Sequence, residues 1–128
     1  MNASIFYFDD DDVLLDIFKE MFRNEYDVRT ASTLAEARQR LSECPDIIIS
    51  DWCMPEISGI DFLRESAKTC PESFRIMLTG FAHAGDLIGE ISSGVVQLFI
   101  PKPWNETGMR ETLERALFLR SRQRKKGA

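Results

Sequence analysis

The sequence predicts an α/β protein: a five-stranded parallel sheet covered on both faces by helices. Three observations predict it. Apolar runs of strand length alternate with stretches of helical period along the whole chain, five of each. Several strand runs are continuously apolar rather than alternating, as strands buried on both faces are. The links are short, so parallel neighbours must be joined by right-handed crossovers through the helices. At 128 residues the chain is of single-domain length and can build one proper core.

The first strand is "SIFYF" at 4–8, followed by Leu14, Ile17, Phe18 and Met21 at helical spacing in "VLLDIFKEMFRN". "YDVRTA" at 26–31 is strand-like. Thr33 and Glu36 then form a capping-box pattern that opens "TLAEARQRLSEC", with Leu34, Ala37 and Leu41 on one face. "DIIIS" at 46–50 is the third strand. "GIDFLRESAKT" reads as a helix stopped by Pro71, and "FRIMLT" at 74–79 as the fourth strand. "GDLIGEISS" is a weaker helix because Gly89 lies inside it, and "VQLFI" at 96–100 is the last strand. Asn105 suits the N-cap of a long final helix with Met109, Leu113, Ala116 and Leu117 facing inward. The domain is expected over 1–120, with 121–128 a basic tail or the start of a linker.

Composition excludes several function classes. No apolar run approaches the ~20 residues of a membrane span, and no basic region precedes the first apolar run as in a signal peptide. A cytoplasmic location is therefore expected. Cys44, Cys53 and Cys70 are odd in number and far apart, so neither a disulfide framework nor a zinc site is expected. The lone His83 cannot build a His-rich metal site. A net charge of −5 argues against direct binding of nucleic acid. The basic end "RSRQRKKGA" suits a helix C-terminus without needing a partner.

Ligands in open α/β sheets bind beyond the carboxyl ends of the strands, where strand order reverses. Asp9 and Asp10 follow the first strand, Asp51 the third and Lys102 the fifth, while Thr79 closes the fourth. With strands one and three as neighbours at the switch point, Asp9, Asp10 and Asp51 converge. Two carboxylates about 4 Å apart repel by roughly 4 kcal/mol at an effective dielectric near 20. Either a proton or a divalent cation must relieve this. Oxygen ligands without His or Cys point to Mg²⁺ or a similar hard ion. A cation, a carboxylate, an ammonium and a hydroxyl around one point form a phosphoryl-transfer arrangement, with Asp51 the best acceptor.

"FDDDD", "DWCMP" (51–55), "MLTG" (77–80) and "FIPKPW" (99–104), in this order at strand ends, together resemble the receiver domain of two-component response regulators. The resemblance runs from about residue 4 to the last helix. It implies a flavodoxin-like (βα)5 fold with strand order 2-1-3-4-5. It also implies that Asp51 is phosphorylated by a histidine kinase, a phosphotransfer protein or a small phosphodonor. Asp9, Asp10, Asp51 and the backbone carbonyl of Cys53 would hold Mg²⁺, with Asp10 the direct ligand of the acidic pair and Asp9 acting through water. Thr79 and Lys102 would bind the phosphoryl oxygens, and a cis Lys102–Pro103 bond would aim the lysine inward. Thr79 and Phe99 would form the switch; Phe99 stands where Tyr is common and cannot hydrogen-bond, so ordinary packing is the competing role.

The same resemblance implies an output domain or downstream protein as reader. A homodimer could form through the fourth helix, fifth strand and fifth helix, a face including Leu87, Ile88, Ile91, Val96 and Leu98. Phe81, two residues after Thr79, would shield the acyl phosphate from water. Apart from its own phosphorylation and dephosphorylation, the domain is expected to have no enzymatic activity. The alternative is a receiver-like interaction module that is never phosphorylated. A flavodoxin-like electron carrier would need a phosphate cradle where this chain has repelling carboxylates. A haloacid-dehalogenase-type phosphatase would need an acid where Cys53 stands.

Overall fold

The computed structural model describes residues 2–80 and 93–127, with side chains through residue 123. The elements are β1 (Ser4–Phe8), α1 (Asp12–Phe22), β2 (Asp27–Ala31), α2 (Leu34–Leu41), β3 (Ile47–Asp51), α3 (Gly59–Thr69), β4 (Phe74–Thr79), β5 (Leu98–Pro101) and a C-terminal helix (Glu106–Gly127). The strands form one sheet in the order β2-β1-β3-β4-β5, every neighbouring pair parallel. This is the doubly wound order expected, and it puts the switch point between β1 and β3. Residues 81–92 lie outside the described residues. With them go most of the helix expected over 85–93, together with Phe81, His83, Leu87, Ile88 and Ile91.

Alternation along the strands sorts the core into two layers. Ile5, Tyr7, Ile47, Ile49, Ile76 and Leu78 face α1 and the C-terminal helix, which contribute Phe18, Phe22, Met109 and Leu113. Phe6, Phe8, Ile48 and Met77 face the other way, onto Ala37 and Leu41 of α2 and Phe62 and Leu63 of α3. The three inner strands β1, β3 and β4 therefore bury both faces, which explains their apolar runs, whereas the edge strands β2 and β5 are partly exposed. The inward stripe of α1 differs from the one read from spacing. Leu15, Phe18 and Phe22 are buried, whereas Leu14 and Met21 are only half-buried and Ile17 is 42% exposed. Both sets share helical period, and only the packing partners Tyr7 and Trp104, which meet Phe18 edge-on, decide the rotation.

Helix starts match their caps. Thr33 Oγ1 accepts from the Glu36 amide, and Asn105 Oδ1 accepts from the Gly108 amide at 2.7 Å. β5 begins two residues later than expected and includes Pro101. The final helix continues through Gly127, past residue 120.

One expectation fails: Cys44 and Cys70 form a disulfide. Distance along the chain misled the reading. Cys44 precedes β3 and Cys70 precedes β4; since these strands are parallel neighbours, their starts lie side by side. Cys44 occupies a left-handed conformation (φ +43°), unusual for a residue with a Cβ. The same pole is fastened by other groups. Arg75, buried in β4, donates to the carbonyls of Ser73, Gly94 and Val95, and Arg120 pairs with Asp46.

Candidate functional site

The run of aspartates at 9–12 divides into separate jobs. Asp9 continues β1 by one residue, its amide donating to the Ala31 carbonyl, and its carboxylate is buried. Asp10 is exposed at the strand tip. Asp11 is the N-cap of α1, accepting from the amides of Val13 and Leu14, and Asp12 lies in the first turn. Local capping thus accounts for the second pair and leaves the first pair to the cleft.

Asp51 ends β3, one residue beyond the Phe8–Ser50 register pair, and so falls beside Asp9. Carboxylate oxygens of Asp9, Asp10 and Asp51 all lie within 4.8 Å of one another. Lys102 reaches in from the β5 side. Its Nζ is 2.5 Å from Asp51 Oδ1 and 3.4 Å from Asp9 Oδ2, and the Lys102–Pro103 peptide is cis. Thr79 ends β4, and its buried hydroxyl donates to the Gly80 carbonyl at 3.1 Å. The Lys102 amide donates to the Thr79 carbonyl, tying the two strand ends together. All five polar residues read from strand ends thus gather at one end of the sheet.

The charges are unbalanced. Burial pushes the Asp51 carboxyl above its usual range, and the neighbouring Asp9 charge adds to this despite the bond from Lys102. Burial pulls the Lys102 ammonium down, but its bond to Asp51 and the charges of Asp9 and Asp51 more than compensate, leaving it raised. Three carboxylates face one ammonium in this cluster, all hard oxygen donors. That donor set fits a hydrated divalent cation of the magnesium type.

Cys53 and Phe99 sit at the margins. Cys53 lies in the loop after Asp51, bridged to Ser58, with its thiol exposed and unpaired. Phe99 pairs in register with Met77 and packs half-buried against the α2/α3-side core.

A family model described as the response regulator receiver domain matches residues 5–114. The chain belongs to this family. Among curated relatives, the receiver is 29% identical over 116 residues to the hydrogenase transcriptional regulatory protein HoxA of Cupriavidus necator, covering 90% of this chain and 24% of that protein. It is 32% identical over 117 residues to the sensor kinase CckA of Brucella abortus, covering 84% of this chain and 12% of that one. The chain thus spans a quarter or less of the length of these two relatives. A solved response regulator receiver domain from Clostridium thermocellum superposes with a TM-score of 0.84 at 28% identity, covering 93% of this chain and 97% of that one.

Two residues of the receiver site escaped the sequence reading. Gly59 opens α3 directly against the backbone of Asp51 and Trp52. Its amide donates to the Trp52 carbonyl, and an added Cβ would stand 2.1 Å from the Asp51 carbonyl oxygen. A glycine at the first position of a helix, where almost any residue has better propensity, was the available signal. Tyr7 was read only as part of an apolar run. Its hydroxyl donates to Asp9 Oδ2 at 2.6 Å, and the signal was its place two residues before Asp9 on the same strand face.

Proposed function

We propose that this receiver accepts a phosphoryl group on Asp51 from a histidine kinase, a phosphotransfer protein or a small phosphodonor. The observation that carries the reading is the meeting of Asp9, Asp10 and Asp51 with Lys102 at one end of the sheet. An Asp51 carboxylate oxygen attacks phosphorus in line. The new O–P bond forms as the donor's P–N or P–O bond breaks, and that electron pair leaves with the donor. Lys102, already on Asp51, neutralises charge on the phosphoryl oxygens. Asp10, Asp51 and the Cys53 carbonyl would hold magnesium directly and Asp9 would hold it through water. The ion would supply further neutralisation of the transferred group.

The Thr79 hydroxyl bonds the Gly80 carbonyl in this state. A phosphoryl oxygen competes for that proton, so phosphorylation draws Thr79 from Gly80 toward Asp51. Phe99, half-buried on the neighbouring strand, fills the space vacated. An output domain or downstream protein reads the change, with the β5 and C-terminal helix face as one route to a homodimer. Residues 1–120 form the receiver, with 121–128 a basic tail or the start of a linker, in a cytoplasmic protein.

Acetyl phosphate with magnesium tests the assignment. Intact-mass measurement should show one added phosphoryl group, absent from Asp51→Asn and absent when the metal is chelated. An unmodified mass in the parent protein, together with no magnesium-dependent binding of beryllofluoride, would sink the reading.

A further inference from the structure

We propose that Tyr7 is a positioning residue for the cation site, its buried phenol fixing the carboxylate of Asp9. This rests on reading the acidic cluster as a magnesium site.

Asp9 is fully buried, yet each of its carboxylate oxygens has a protein donor. Oδ1 accepts from the Asp11 amide at 3.0 Å, at the very start of α1. Oδ2 accepts from the Tyr7 hydroxyl at 2.6 Å, a length typical of a charge-assisted O–H···O⁻ bond, and more distantly from Lys102 at 3.4 Å. These two bonds, one to each oxygen, hold the carboxylate in its present orientation. Asp9 therefore acts as a fixed negative group that a metal-bound water can meet, while the exposed Asp10 remains free to coordinate.

Tyr7 is itself immobilised. Its side chain is buried, and its ring meets Phe18 of α1 edge-on with centroids 5.1 Å apart. A phenol is ordinarily protonated at neutral pH, so the hydroxyl can serve as the donor in this bond. Buried tyrosines ordinarily need a partner for their hydroxyl, and many find a carbonyl. Here the partner is a carboxylate of the acidic cluster, shared with the Lys102 ammonium. With Tyr7 holding Asp9 Oδ2, Lys102 is left to lean toward Asp51, where it is 2.5 Å away.

The test compares the parent with Tyr7→Phe, which keeps the ring and removes the hydroxyl. Calorimetric titration with MgCl₂ should give affinity weakened roughly ten-fold or more, the usual cost of losing a partner that orients a metal ligand. Melting in chelator should fall, as loss of a buried bond to a carboxylate requires, but stay cooperative, so that the folded variant can still be titrated with magnesium. A second readout needs no variant. In the parent, the Tyr7 hydroxyl proton should give a slowly exchanging, downfield NMR signal that moves on adding MgCl₂. Equal magnesium affinity in both proteins, or a hydroxyl signal unmoved by magnesium, overturns the role of Tyr7 alone. A parent that takes up no magnesium overturns the cation site and this role with it.

Discussion

Replacing Gly59 with alanine should damage the site without touching any polar group in it. The added Cβ would lie 2.1 Å from the Asp51 carbonyl oxygen and 3.1 Å from that of Trp52, both backbone atoms. No rotamer can relieve such contacts, so α3 and the acceptor loop must part by more than an ångström. That separation breaks the bond from the Gly59 amide to the Trp52 carbonyl, worth about 1 kcal/mol, and adds about 1–3 kcal/mol of overpacking. Lower unfolded-state entropy returns about 0.4–1 kcal/mol. The net expectation is a loss of about 1–3.5 kcal/mol, with slower phosphorylation because Asp51 no longer faces Lys102 correctly. Gly108→Ala is the control. It sits in the exposed first turn of the C-terminal helix, where a Cβ would meet the side chain of Asn105, its oxygen at 3.3 Å, and no backbone atom. Helix propensity there favours alanine by up to about 1 kcal/mol. Urea melts and acetyl phosphate labelling read both variants. A Gly59→Ala protein with parent stability and parent labelling would refute the close-approach argument.

Three further outcomes are expected. Asp51→Asn should stabilise the metal-free protein by on the order of 1 kcal/mol, since relief of a buried charge, helped by removal of the repulsion from Asp9, outweighs the lost Lys102 pair. An unchanged or lower melting point in chelator would count against this. Because burial raises Asp51, the folded state holds that proton more tightly than the unfolded chain. The proton's stabilising contribution is complete below the ordinary carboxylate range and is lost as pH rises through the raised value, so metal-free melts should weaken over that mildly acidic window. The loss should vanish in Asp51→Asn. Reducing Cys44–Cys70, which closes a separation of 26 residues, should cost about 3.5 kcal/mol in the loop-entropy account, read by urea melts with and without reductant. Equal midpoints would refute it.

Most of this fold was legible because it rests on local patterns that tertiary contacts do not override. The runs at 4–8, 46–50 and 74–79 are apolar on both faces, and the caps at Thr33 and Asn105 announce their helices. The convergence of Asp9, Asp51, Thr79 and Lys102 was legible for the same reason, since strand ends in a parallel sheet share one pole. What could not be read depends on pairing in space. The rotation of α1 is decided by Tyr7 and Trp104, and Cys44 meets Cys70 only because β3 lies beside β4. Gly59 and Tyr7 needed knowledge of the atoms facing them, an Asp51 carbonyl in one case and an Asp9 carboxylate in the other.

The fastened pole has a mechanical consequence. At the strand starts, the disulfide, the three carbonyls gripped by Arg75 and the Arg120–Asp46 pair weld neighbouring segments into a stiff base. A phosphorylation-driven shift, on the reading proposed above, is therefore expected at the opposite, acidic end, beside the last residues of β5, while the foot stays in register.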